Sequence, residues 1–363
     1  SNSRKELIHS IDQVILDRVQ RWVTPSCVSI CKQLFDDSIE NEFGIFDRML
    51  VEWKAAIPKN NIEKRVVLIN SPGNTKGQAL SLVCNDLNIP IVSAQHGVTF
   101  EFSNFHKEIS VSFENTIADC LLVYNKKSAR VEEGSYFSKG RAFVVGMSER
   151  HIRMRHLTPK HKDTPPILYI STNLYKGNLG VFTTWLTDYD RAKKEQKLIK
   201  YVFDKLPKKV RYKTYPEDNR RYIDMDPVIR GIYNSNNIEL FDEKVDTRYL
   251  LSEHRILITS MATSTLGWPV MSGKPVVFIN CKENSPLSDE AYISMSKGLF
   301  IFNDDEENFY ENLRNFLSKP LDEIEKLWQE KERARKDMIT EYFSAHLSGA
   351  GSKAKDIIIQ KYL

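Results

Sequence analysis

Ile256-Leu257-Ile258-Thr259-Ser260-Met261-Ala262-Thr263-Ser264-Thr265-Leu266-Gly267-Trp268-Pro269-Val270-Met271-Ser272-Gly273-Lys274-Pro275-Val276-Val277-Phe278-Ile279 is the stretch whose reading decides the fold. Its two ends, 256–259 and 275–279, are short apolar runs rich in Ile and Val, which marks them as strands. The segment between them has room for one short helix, with Gly273 as punctuation before the second strand. A strand, a helix and a strand without polar alternation form a βαβ unit of a parallel sheet covered on both faces.

The pattern continues outward from there. Residues 166–170, 210–213, 238–241 and 299–302 read as further strands, with a helix over 189–206. Earlier in the chain, runs at 65–70, 89–94, 120–124 and 142–146 repeat the motif, with a helix over 77–87. Residues 4–60 read as helical, because Leu7, Ile11, Val14, Ile15, Val19 and Trp22 recur every three or four positions, and Phe43 to Trp53 does the same. Residues 306–317, 321–343 and 354–363 read as helices too.

Residues 147–164 break the pattern. They carry Arg150, Arg153, Arg155, Lys160, Lys162 and three histidines, and few apolar positions, so they read as a basic linker. The expected organisation is a Rossmann-like α/β domain over 4–150, a linker over 151–164, and a second Rossmann-like domain over 165–335. Helices over 336–363 are expected to pack back on the first domain. Two such sheets face a central cleft, and open parallel sheets bind ligands beyond the carboxyl ends of their strands.

Composition limits the function. The 363 residues are 41% hydrophobic and 28% charged, a globular profile. No window approaches the ~18 apolar residues that would span a bilayer. With 52 basic against 48 acidic residues the net charge is +4, too balanced to point to nucleic acid. Five cysteines without framework spacing suggest reduced thiols and a cytoplasmic setting, and Cys27 and Cys31 have no second pair to complete a metal site. Ser1-Asn2-Ser3 reads as the remnant of a cleaved tag, and no signal-peptide pattern follows it.

Five segments stand where chemistry is expected. Gln95-His96-Gly97 follows a strand, so His96 should face the cleft with a side chain suited to proton transfer or to pairing with phosphate. Glu101, on the same loop, is the carboxylate that suits acid/base work, with a solvated loop charge as the plainer reading. Ser71-Pro72-Gly73-Asn74 is either an anion-receiving loop or a plain turn, and it lacks P-loop and dinucleotide spacing. Ser171, Thr172 and Asn173 end the first strand of the second half, where they suit a phosphate or sugar, or a helix cap. Lys213 can neutralise a phosphate, and Tyr215 can stack on a base or sugar before Pro216. Thr263, Ser264 and Thr265, in the opening stretch, put hydroxyls and free N–H groups at a strand-to-helix junction and form the most anion-suited segment. Asp224-Met225-Asp226 has the spacing of a metal-binding pair but no preceding strand, and no metal is expected there.

Gln95-His96-Gly97, the strand end at Gly146, Lys213-Thr214-Tyr215-Pro216, and Ser264-Thr265 before Gly273-Lys274-Pro275 occur in an order that resembles the GT-B glycosyltransferases of bacterial surface-polysaccharide assembly. The likeness spans about residues 60–300 and is nearest to capsule and O-antigen Kdo transferases and to CDP-glycerol glycerophosphotransferases. It implies a metal-independent transferase without a cofactor. Ser171, Thr172, Asn173, Lys213, Tyr215, Thr263, Ser264 and Thr265 would hold the donor nucleotide, with His96 and Glu101 on the acceptor side. Two departures bear on the donor: Tyr215-Pro216 stands where many relatives have His-Pro, and Leu266-Gly267-Trp268 where many have a ribose-gripping Glu. Both favour a CMP-linked acidic sugar, Kdo- or sialic-acid-like, passed to a glycan or lipid-linked glycan. Asp188 and Asp190 are candidates for a second carboxylate, which only a retaining route needs.

The resemblance also implies a cytoplasmic enzyme. It fits peripheral association with the inner face of the cytoplasmic membrane through the basic linker, and partnership with other transferase modules. An epimerase or polyol-phosphate transferase on the same fold, and a non-catalytic glycan- or nucleotide-binding scaffold, stay open as alternatives.

Overall fold

The computed structural model describes residues 2–21, 23–57, 64–104, 107–154, 164–175, 186–215 and 220–363. Trp22, Arg155, Lys160, Lys162 and Pro216 lie outside the described residues.

Two helices open the chain, α1 (Asn2–Val19) and α2 (Pro25–Ala56). The expected helix over 43–53 is one part of the 32-residue α2. The lower end of α2 reaches the first α/β half, where Trp53 and Ile57 pack on Leu80, Ile89 and Ile91.

The first half alternates β1 (Val67–Asn70), α3 (Thr75–Asp86), β2 (Ile91–Ala94), α4 (Lys107–Glu114), β3 (Cys120–Val123), α5 (Lys126–Glu133) and β4 (Arg141–Val144). All four strands are parallel, in the order β1-β2-β3-β4. β3 shows why its sequence has no polar alternation. Leu121 and Val123 pack beneath Ala129 of α5, while Cys120 and Leu122 face the opposite way. Both faces are buried, so every position must be apolar.

A short helix, α6 (Glu149–Arg153), lies within the stretch read as linker, and Met154 behind it is buried against the second half. The correction has a plain cause: Ile152 and Met154 supply the few apolar contacts this basic segment needs to fold against its neighbours.

The second half contains β5 (Ile167–Ile170), α7 (Asp188–Tyr201), β6 (Val210–Lys213), α8 (Pro227–Tyr233), β7 (Ile238–Phe241), β8 (Ile256–Thr259), α9 (Ser264–Met271), β9 (Val276–Asn280), α10 (Asp289–Gly298) and β10 (Phe300–Asn303). The strands are parallel in the order β10-β9-β8-β5-β6-β7. β5 pairs with both β6 and β8, so the chain leaves it in one direction first and the other later. That reversal opens a crevice above the carboxyl ends of β5 and β8. The opening stretch of sequence is β8-α9-β9, with Leu266, Val270 and Met271 fully buried beneath it. Each such side chain contributes ~1.5–3 kcal/mol.

Four more helices follow: α11 (Phe309–Ser318), α12 (Leu321–Glu330), α13 (Glu332–Tyr342) and α14 (Ala350–Tyr362). The helix expected over 321–343 is divided at Lys331. After α13 the chain returns to the first half, where Ala345 N–H donates to the Tyr124 carbonyl at 2.9 Å. Ala354, Ile357, Ile358 and Tyr362 of α14 then cover Val92, Cys120, Leu122 and Val145. Among the described residues no helix is long and apolar enough to cross a membrane.

Candidate functional site

The loop after β2 is held from beneath. Gln95 is buried, its Oε1 accepting from Tyr124 N–H at 2.8 Å and its Nε2 donating to the Gly97 carbonyl at 2.9 Å. His96 N–H donates to Glu114 Oε1 at 2.8 Å. With its backbone fixed, the exposed His96 side chain lines a cleft of about 550 Å3.

This cleft collects the carboxyl ends of the first sheet, through Asn70, Ala94, Leu122 and Val145, and meets α6 and α9 on the other side, through Arg150, His151, Ser264 and Trp268. His151 stacks on Trp268 with ring centroids 3.8 Å apart, and burial pushes its imidazole down to about 4. His151 is therefore neutral at pH 7. It sits in the stretch read as linker, where its proximity to Trp268, more than a hundred residues away, leaves no mark in the sequence. Among the described residues lining this cleft there is no carboxylate.

The two halves touch at its floor. A Cβ on Gly97 would lie 2.6 Å from Ser264 Cβ, and one on Gly267 would lie 3.0 Å from Val98 Cγ2. The glycines therefore permit the β2 loop to seat against the start of α9. Thr263 is the N-cap of α9 in extended conformation and makes no side-chain capping bond, so its hydroxyl stays available beside Ser264 and Thr265.

Glu101 is not in the cleft. It is 2% exposed, with Oε2 accepting from Thr99 N–H at 2.7 Å and Oε1 from Gln95 Nε2 at 3.1 Å and Ser128 Oγ at 3.2 Å. Burial pushes its carboxyl up to about 7. It braces the His96 loop from behind, because four residues beyond Gly97 the loop has already turned into the core.

Lys213 departs from expectation in the same way. It is 1% exposed, and its ammonium donates to the carbonyls of Thr214 at 3.0 Å and Glu243 at 2.8 Å, while burial lowers its pKa. A lysine committed to two carbonyls ties the ends of β6 and β7 together instead of meeting a phosphate.

Ser171, Thr172, Asn173 and Tyr215 do come together, in a hollow of about 500 Å3 beyond the ends of β5 and β6. A second hollow of about 370 Å3 shares Thr172 and runs under Ser260, Lys194 and Asn284. Thr172 Oγ1 contacts Met261 Sδ across the crevice between β5 and β8. Ser171–Asn173 do not cap α7, which has its own capping box in Thr187 and Asp190.

The remaining acidic candidates have structural partners. Asp190 belongs to that box, and Asp188 faces Arg191 at 3.4 Å and accepts from Tyr222 OH at 3.1 Å. Asp224 pairs with Arg220 at 2.9 Å, and Asp226 caps α8 while accepting from Tyr175 OH at 2.6 Å. Among the described residues no group of three His, Cys, Asp or Glu side chains is placed to hold a metal. Asn74, in the Ser71–Asn74 loop, caps α3 by accepting from Gly77 N–H at 3.0 Å. Arg153, unlike Arg150, is turned to Glu149 at 3.2 Å.

No family model matches the sequence, and no curated protein matches it. Solved structures do. The S. aureus MnaA-UDP co-structure aligns with a TM-score of 0.53 at 16% identity, over 87% of this chain and 79% of that one. A putative UDP-N-acetylglucosamine 2-epimerase from Listeria monocytogenes aligns with a TM-score of 0.52 at 15% identity, over 88% and 79%. At such identities the likeness is one of fold: the chain has the GT-B-like architecture of two parallel α/β halves, with helical segments at both ends.

Proposed function

We propose that this chain is a nucleotide-sugar enzyme that transfers a glycosyl group in the cleft between its two halves. The observation that carries the reading is the seating of Gly97 on Ser264, which puts His96 and the start of α9 on one cleft. The cleft volume falls in the range of small-molecule sites.

In this reading the second half holds the donor. Thr263, Ser264, Thr265 and the first N–H groups of α9 meet the departing phosphate, with Arg150 nearby to complete the charge. Ser171, Thr172, Asn173 and Tyr215 hold the rest of the nucleotide, its other phosphate and its nucleoside. The first half takes the acceptor, and His96 removes the proton from its hydroxyl. A single base suits an inverting route, and the absence of a carboxylate among the described lining residues favours it over a retaining one.

The donor nucleotide is the finer point. The CMP-linked acidic sugar expected from Tyr215 and Leu266-Gly267-Trp268 finds no echo in the similar structures, one a complex with UDP and the other a putative UDP-N-acetylglucosamine 2-epimerase. A uridine-linked donor is therefore the first ligand to test and a cytidine-linked one the second. The likeness to a putative 2-epimerase also favours a second reading, epimerisation of a nucleotide sugar, which needs no acceptor.

The test is thermal unfolding with UDP, CDP, CMP and GDP, followed by product analysis. A nucleotide at ~100 times its Kd should add ~2.7 kcal/mol. His96→Ala should cut turnover by ~100-fold or more while leaving that stabilisation in place. No stabilisation by any of the four nucleotides would overturn the reading, and product formed without an acceptor would select the epimerase.

A further inference from the structure

Beneath the crevice between β5 and β8 lies a buried hydrogen-bond chain whose carboxyl and two phenols have no role in the transfer proposed above. Tyr169 of β5 and Tyr212 of β6 bring their phenols to one carboxyl, Glu195 of α7. Tyr169 OH is 2.5 Å from Oε1 and Tyr212 OH is 2.6 Å from Oε2. All three side chains are buried, and the two rings sit 5.1 Å apart, so neither phenol can turn away. Each phenol has one further neighbour. Tyr212 OH lies 2.9 Å from Ser171 Oγ, and Tyr169 OH lies 3.4 Å from Ser260 Oγ. Ser171 ends β5 and lines the larger hollow, and Ser260 follows β8 and lines the smaller one.

Counting protons shows what this chain can do. A phenol and a serine hydroxyl carry one proton each. When Glu195 is ionised, both phenols donate to it, each serine then donates to its phenol, and only serine lone pairs face the hollows. When Glu195 is protonated, its own O–H donates to one phenol. That phenol turns its proton to its serine, and the serine proton, which in Ser171 otherwise reaches the Thr172 carbonyl at 3.4 Å, turns to a ligand oxygen.

We propose that Glu195 is a positioning residue that sets the donor or acceptor sense of Ser171 and Ser260, so that a phosphate group entering the crevice is bound together with a proton. The identity of that phosphate as part of a nucleotide sugar rests on the reading above, whereas the proton chemistry does not. Burial pushes the Glu195 carboxyl up to about 7, so both states are populated near neutral pH. The charged groups around it are already matched. On α7, Arg191 faces Asp188, and Lys194 lies 2.7 Å from Asp304 and 2.9 Å from Glu283. From beyond β9, the Cys281 thiol is pushed up to about 12 and stays neutral.

The experiment is calorimetry of the full chain with inorganic pyrophosphate, in buffers of different ionisation enthalpy, from pH 6 to pH 9. Wild type should take up a proton on binding at pH 8, with affinity falling about tenfold more per pH unit than in Glu195→Gln. The amide cannot ionise, and its NH2 group donates to one phenol while its carbonyl accepts from the other, so Glu195→Gln should bind with the low-pH affinity throughout. Ionisation of pyrophosphate itself cancels between the two proteins. Tyr212→Phe keeps the ring packing and breaks the arm to Ser171, so it should weaken the pH dependence, and it decides the matter if Glu195→Gln fails to fold. Equal proton uptake in wild type and variant, or no binding of pyrophosphate, overturns the proposal. Pyrophosphate binding with the proton signature, but no binding of UDP, CDP or CMP, supports it while sinking the nucleotide-sugar reading.

Discussion

Gly97 and Ser264 come so close that a Cβ on the glycine would lie 2.6 Å from the serine Cβ. The two residues belong to different halves, so this contact sets how near the first sheet's loop stands to the start of α9. Gly97→Ala should push the two elements apart. Overpacking of this kind costs ~1–3 kcal/mol. The expected result is a lower Tm together with a fall in kcat/KM of at least ~10-fold, because the reacting groups separate. Unchanged turnover in Gly97→Ala would show that the contact has no bearing on the site.

Glu101, Glu114 and Glu132 form a buried acidic group behind the His96 loop. Glu132 is fully buried, and burial, opposed by the Asn115 amide and helped by the nearby Glu101 charge, pushes its carboxyl up to about 8. The unfolded chain releases this proton near pH 4.5 and the folded chain near 8, so the folded state binds more protons between those values. Stability therefore falls as pH rises through that window. Glu132→Gln should raise stability at pH 8, by up to ~4 kcal/mol, and change little at pH 4.5. Denaturant melts at the two pH values measure the difference, and an equal effect at both would exclude this origin.

His151 is neutral because Trp268 and the cleft wall bury it. Trp268→Ala should expose the ring and return its pKa from about 4 toward ~6.5. The histidine proton resonances followed by NMR titration report this directly. A pKa that stays near 4 would place the burial elsewhere.

Removing residues 350–363 should uncover Val92, Cys120, Leu122 and Val145. Loss of Ile357, Ile358 and Tyr362 from that surface should cost ~3 kcal/mol or more. Limited proteolysis should then cut first within the first half. A truncated chain with an unchanged melting curve would mean that α14 is not needed to cover the sheet.

Much of the fold was legible because buried parallel strands leave a local mark. Residues 210–213, 238–241 and 256–259 are strands to the residue, since each is a short run dominated by apolar or aromatic side chains with polar residues at both ends. α6 escaped notice because a five-residue helix gives no period to recognise. Of the candidate site, His96, Ser264 and the Ser171–Asn173 run could be located from their positions at strand ends. Glu101 and Lys213 could not, because the sequence shows that a charged residue follows a strand but not whether its side chain turns outward or finds carbonyls and amides within.

The sequence by itself determined the strands, their parallel class and the two-half plan, because apolar periodicity and turn residues act over a few positions. The tertiary structure alone decided which polar groups share a space. Gly97 meets Ser264, His151 meets Trp268, and Glu195 gathers Tyr169 and Tyr212, all across separations over which a chain carries no local signal. The opening stretch shows both sides: its β8-α9-β9 form was written in its residues, but the cleft above Ser264 exists only because the other half lies against it.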